Sequence, residues 1–170
     1  MKKKLIFVFS VCLTLLLSSC EDDNYAPNLH VQILAGQWVV TTPEFFIDYY
    51  GLDDTWTLIT SNTNDNSNNA LLLTDASTFW DFTVTVPAEP WVPLFGDITP
   101  VDNLSYDEKI VIRNGTVTPK AVTLPSGWVA DKIAFYIGFE DGNGSFDEFR
   151  IVGYRVSGFL EDIGYVYYEE

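Results

Sequence analysis

The chain opens with a basic start followed by an apolar run. Lys2, Lys3 and Lys4 precede thirteen largely apolar residues from Leu5 to Leu17, and Leu17-Ser18-Ser19-Cys20 closes the segment. The run falls short of the ~20 residues a membrane-spanning helix needs and fits the core of a signal peptide. Small residues leading directly into a cysteine match the bacterial lipoprotein box, in which cleavage precedes the cysteine and its thiol takes a diacylglycerol. Cys20 is the expected lipid-attachment residue, and residues 1–19 are the expected cleaved signal. Residues 20–28 then read as a short flexible tether and 29–170 as a single domain.

Past the tether, Leu29, Val31, Ile33 and Leu34 predict one or two helical turns, which Gly36 could cap. From there the pattern is β. Gln37 to Thr42 is a β-branched and aromatic run ended by Pro43, and Thr55 to Thr60 and Ala70 to Thr74 are short strands around a polar loop. Trp80, Phe82, Val84 and Val86 alternate with Asp81, Thr83 and Thr85 and predict a half-buried strand. Pro87, Pro90, Pro93 and Pro100 make residues 87–106 a long, mostly extended connection. Lys109 to Arg113 and Thr116 to Thr118 flank Asn114-Gly115, which predicts a hairpin with a type I′ turn. Ile133, Phe135, Ile137 and Phe139 alternate in a further strand, Glu140 to Ser145 is a turn, and Phe146 to Phe159 is a last long strand. Eight strands without a long helix predict an all-β fold. A closed antiparallel barrel is favoured over a sandwich because several strands carry apolar residues on both faces.

Charge narrows the function. The 170 residues hold 9 Lys and Arg against 24 Asp and Glu, a net charge of −15. Loss of the signal removes three lysines and leaves the mature chain at −18. Such a surface repels phosphate backbones, which excludes nucleic-acid binding by a basic face. One His and two Cys are too few for a zinc cage, and Cys12 leaves with the signal. No cofactor motif is present. The expected membrane partner is reached through the acyl chains on Cys20, which anchor stably when two or three are attached. A monomer is expected. Glu21-Asp22-Asp23, directly after the cysteine, resembles the export signal of surface-displayed lipoproteins in Gram-negative cells. A solvated tether on the periplasmic side of the outer membrane is the other reading of that run.

Few residues point to chemistry. Gly36-Gln37-Trp38 is the G-x-W arrangement of lipocalin-like barrels, where the Trp closes one end under an arginine from the last strand. Arg155 is the expected partner. His30, the only histidine, lies next to the tether, and no G-x-S-x-G elbow is present. Asp81 is a carboxylate in an otherwise apolar run and would face away from Trp80 and Phe82. Asp141, Asn143 and Ser145 match the first ligands of an EF-hand, but Phe146 replaces the required Gly, so a solvated turn is expected. Trp38, Trp80 and Phe135 are expected to fill the core. Trp56, Trp91, Trp128 and Tyr136 are the candidates for ligand contact, with Trp91 and Trp128 near a barrel mouth.

Taken in order, five motifs resemble a family of Gram-negative lipoproteins described as lipid-binding putative hydrolases. They are Ala35-Gly36-Gln37-Trp38, Phe79-Trp80-Asp81-Phe82, Ile112-Arg113-Asn114-Gly115, Pro125-Ser126-Gly127 with Ala130-Asp131, and Gly153-Tyr154-Arg155 with Gly158-Phe159. The resemblance spans about residues 29–160 and implies a lipocalin-like (calycin) barrel of eight strands. It brings no catalytic motif. Three functions follow: a lipoprotein binding a small apolar ligand such as a lipid in a barrel cavity, a non-catalytic surface accessory protein binding glycan or protein, and a carboxylate-based hydrolase. The last needs two acidic groups ~5–10 Å apart.

Overall fold

The computed structural model describes residues 31–168 apart from Asn66 and Asn68. The expected signal peptide, Cys20, the tether and His30 lie outside the described residues. Eight antiparallel strands pair in chain order and the last returns to the first, closing a barrel. They are β1 (Gly36–Thr41), β2 (Thr55–Asn62), β3 (Ala70–Thr74) and β4 (Thr83–Glu89). β5 (Leu94–Asp102), β6 (Lys109–Thr123), β7 (Val129–Glu140) and β8 (Phe146–Arg155) complete it. Between β1 and β2 lies one helix, α1 (Glu44–Tyr50).

A meander reverses at every turn, so its loops alternate between two ends. The α1 end carries α1 and the loops after β3, β5 and β7. The tether end carries the entry of the chain at Val31, the loops after β2, β4 and β6, and the exit from β8. Alternation fills the interior: Trp38 and Val40, Leu58, Leu71 and Leu73, Val84 and Val86, Ile110 and Ile112, and Phe135 and Ile137 join one buried cluster. A second, smaller cluster lies outside the barrel. There Tyr154, Val122, Leu124 and Ala130 are covered by the C-terminal segment through Tyr165 and Tyr167.

Several expectations need correction. The predicted strand through Trp80 starts only at Thr83. Asp81 has φ 52° and sits in a loop, because that loop folds around Asp75. Residues 87–106 are not an open connection. Pro87 and Pro100 lie inside β4 and β5, and Glu89 pairs with Leu94 across a short turn. Asn114-Gly115 makes no hairpin: β6 runs straight through it, with a register shift between Arg113 and Thr116. Asn114 takes φ 54° in this bulge, and a Cβ on Gly115 would collide with the Phe95 ring, so both residues answer to the bulge. The last strand stops at Arg155, four residues early. Gly36 opens β1 and caps nothing, because a Cβ there would meet the Arg155 guanidinium.

Candidate functional site

The tether end is shut on its β1–β8 side, while a recess of about 650 Å³ lined by Asn69, Ala88, Glu89, Phe95 and Thr116 opens on its β3–β6 side. The turn from Val31 to Leu34, closed by Ala35 N–H to the Val31 carbonyl at 2.8 Å, buries both side chains beneath Trp38. Trp38 Nε1 donates to Thr60 Oγ1 at 2.8 Å, and Thr60 donates to the Leu34 carbonyl at 2.5 Å. The Arg155 guanidinium lies 4.3 Å from the Trp38 ring centre. It also donates to the carbonyls of Ala35 and Ile33 at 2.5 and 2.9 Å and to Asp131 at 3.0 Å. Asp131 in turn accepts the backbone N–H of Lys120, whose φ is 51°. A planar, multiply bonded cation over the indole is the geometry lysine could not reproduce.

The α1 end is built differently. Pro43 ends β1, and its carbonyl accepts the first helical N–H, from Phe46 at 2.9 Å. Gly51 in the left-handed conformation stops α1 after seven residues. So short a helix has no stability of its own and depends on what it buries. Phe46 is its only buried residue. That ring meets Phe149, Phe79 and Trp80 at centroid distances of 4.7, 4.8 and 5.5 Å and reaches Phe139 at 6.3 Å. Trp56 stacks on Phe79 at 4.7 Å beneath it. Phe45, Tyr49 and Tyr50 are exposed, although Phe45 stacks on Phe149 at 5.5 Å and Tyr50 meets Trp80 edge-on at 4.9 Å.

The loop between β3 and β4 supplies the other wall. Asp75, fully buried, points its carboxylate into the loop and accepts backbone N–H groups from Ser77, Phe79, Trp80, Asp81 and Phe82 at 2.7–3.0 Å. Ala76, Ser77 and Asp81 all hold positive φ, a cost that the buried carboxylate offsets. Asp81 therefore leaves the sheet and accepts the Ser77 hydroxyl at 2.9 Å. The Tyr106 hydroxyl also bonds Asp81, which raises the Tyr106 pKa. Glu108, in the next loop, is pushed up by burial first and by the nearby Glu140 carboxylate second.

Two polar atoms near this end have no partner: Trp56 Nε1 and Asn103 Nδ2 are buried without an acceptor. Buried donors are almost always satisfied, so the orphaned Trp56 indole N–H, stacked beneath Phe79 and Phe46, stands out among the described residues. Acidic groups surround the rim, with Glu44 and Asp48 on α1, Asp53 and Asp54 after it, and Glu108 and Glu140 opposite. Ser77 and Asp81 have no imidazole beside them among the described residues, so nothing activates that hydroxyl as a nucleophile.

The remaining candidate residues lie apart. Trp91, in the turn after β4, and Trp128, before β7, are both exposed and both at the tether end. Tyr136 faces outward between Arg113 and Arg150, whose guanidinium carbons stand 4.8 and 5.5 Å from its ring centre. Asp141 accepts the N–H groups of Asn143 and Ser145 at 2.9 and 2.8 Å, as a tight turn between strands does. Neither the buried role of Asp75 nor the lid formed by α1 has a motif in the sequence.

A profile of the lipid-binding putative hydrolase family matches residues 23–160. The chain belongs to this family. No curated relative matches it. Family membership and the closed barrel together support lipid binding in general.

Proposed function

We propose that the protein is an envelope lipoprotein, acylated at Cys20, that binds a small lipid at the α1 end of its barrel. The orphaned Trp56 indole N–H beneath Phe46 and Phe79 carries this reading. Side chains fill the interior from Trp38 upward, so a ligand enters by displacing Phe46 and swinging α1 aside. Removing one buried aromatic ring from its site costs about 2–3 kcal/mol, which the ligand's own apolar area returns. The acidic rim selects the headgroup. A fatty-acid carboxylate or a phosphate would meet like charge on every side, whereas an uncharged ester or alcohol can accept from Trp56 without that penalty.

The full-length protein, labelled with 15N at its tryptophan indoles, tests this directly. Added monoacylglycerol is expected to move the Trp56 indole resonance, identified by its absence in Trp56→Phe, while the free fatty acid of the same chain length leaves it in place. A Trp56 resonance indifferent to both lipids would sink the reading.

A further inference from the structure

We propose that the tether end of the barrel lies against the membrane and that the α1 end faces away from it. This rests on acylation of Cys20. The described chain begins at Val31 on the tether end, eleven residues after Cys20. At full extension those residues span at most ~40 Å, so the barrel stays within about its own length of the bilayer.

That same end exposes a contiguous apolar surface. Trp128, Phe159, Leu160 and Ile163 are 52%, 47%, 81% and 76% exposed. The Trp128 and Phe159 rings meet at 6.1 Å, and Phe159 and Ile163 join Val39 and Val156 around a recess of about 180 Å³. Val156 is bonded through its N–H to the Gln37 carbonyl at 3.0 Å, which places this surface beside the point where the chain enters the fold. Tryptophan and phenylalanine beside leucine and isoleucine is the composition of a membrane interface.

The surface is held rigid. Asp162, buried below it, accepts both the N–H and the hydroxyl of Ser126 at 2.9 and 2.8 Å and the Ser157 hydroxyl at 2.5 Å. The Tyr154 hydroxyl donates to the Asp162 carbonyl at 3.1 Å. The four apolar side chains are thus presented on a fixed scaffold.

Charge orients the molecule the same way. Lys120, Lys132 and Arg155 lie near the tether end of β6, β7 and β8, where with Asp65, Glu89, Asp131, Glu161 and Asp162 they leave a mixed surface that is less acidic than the opposite end. Glu44, Asp48, Asp53, Asp54, Asp107 and Glu108 crowd the α1 end. An anionic lipid surface repels the α1 end and turns the tether end inward. The acyl chains supply the affinity and this face supplies the orientation, which leaves the lid of the proposed lipid site open to the aqueous side.

The test uses the full-length protein in phosphatidylethanolamine–phosphatidylglycerol vesicles that carry lipids brominated along the acyl chain. Bromine is expected to quench tryptophan emission, and Trp128→Phe to lose at least half of that quenching. The double variant Leu160→Asp, Ile163→Asp is expected to lower quenching about twofold while circular dichroism and vesicle attachment stay unchanged. The mass of the N-terminal peptide is read separately. An unmodified Cys20 overturns the anchoring on which the proposal rests. An acylated Cys20 with unquenched Trp128 overturns the orientation alone. Unquenched Trp128 with cross-linking between copies through residues 160 and 163 would instead give this face to a second copy.

Discussion

The Asp75 carboxylate, enclosed by five backbone N–H groups, is the residue on which the α1 end depends most. Its removal strands donors in a buried site, and each stranded donor costs about 1–3 kcal/mol. Asp75→Asn keeps the size but leaves one acceptor oxygen and adds two donors where none is wanted. It is expected to destabilise the protein by at least about 3 kcal/mol, lowering the melting temperature by roughly 10 °C in a circular-dichroism scan. Asp81→Asn is the control. It touches Ser77 and Tyr106 at the exposed rim and is expected to cost less than about 1 kcal/mol. Equal losses in the two variants would show that Asp75 does not organise the loop. The sequence points the wrong way, because Asp81 between Trp80 and Phe82 stands out and Asp75 between Thr74 and Ala76 does not. Their difference arises from backbone path, through positive φ at Ala76, Ser77 and Asp81. Trp38 and Arg155, by contrast, were legible as a pair, because a G-x-W on the first strand and an arginine on the last become neighbours as soon as a barrel closes.

Among the elements, strand identity followed side-chain alternation where one face is buried, as in β2, β3 and β7. It failed where local chemistry has two solutions. Asn-Gly supplies positive φ equally to a two-residue turn or to a bulge, and the Phe95 ring against Gly115 decides for the bulge. The prolines of β4 and β5 suggested an open connection. Pro87 instead sits at an exposed strand position where β4 turns toward β5, with pairing to β5 limited to Ala88 and Glu89. Merging two predicted strands into β6 while adding β5 kept the total at eight, so the barrel count held although its members changed. The α1 segment carries too few residues for helical periodicity to register. The C-terminal segment is a further element without pattern, and its attachment is a matter of polar contacts. Burial alone would raise the Asp162 pKa, but hydrogen bonds from Ser157 and Ser126 hold it below the usual carboxylate range. A depressed folded pKa contributes stability that is present above the unfolded value and lost as pH falls through the folded one. Protection factors of the amides around residues 157–165 are therefore expected to fall below about pH 4 before those of the barrel strands do. Asp162→Asn should abolish that pH dependence. Protection that falls uniformly across the barrel would contradict a locally held segment.

At the scale of the whole molecule, a net charge of −15 on 170 residues makes self-repulsion a standing cost of the folded state, concentrated at the α1 end. Glu108 reports it. Burial first, and the Glu140 carboxylate second, raise its pKa above the ordinary 4.5. A raised carboxylate means that the folded protein holds a proton the unfolded chain has released. Stability attached to this group is then complete below about pH 4.5 and is lost as pH rises through the folded value, opposite in sign to the contribution of Asp162. Between these two limits the protein is expected to be most stable in acid solution, near pH 4.5, and less so at pH 8. Added salt screens exposed charges over about 8–10 Å near physiological strength, so it should recover part of the loss at pH 8 and little at pH 5. Glu108→Gln removes one member of the crowded pair and is expected to flatten the decline between pH 5 and 8 while leaving the acid limb in place. Denaturant midpoints of the full-length protein and this variant, across pH and at two salt concentrations, measure it. A stability that rises steadily from pH 5 to 8, or a salt response equal at both, would mean that the acidic rim is too well solvated to strain the fold, and would weaken with it the case for an uncharged ligand at the α1 end.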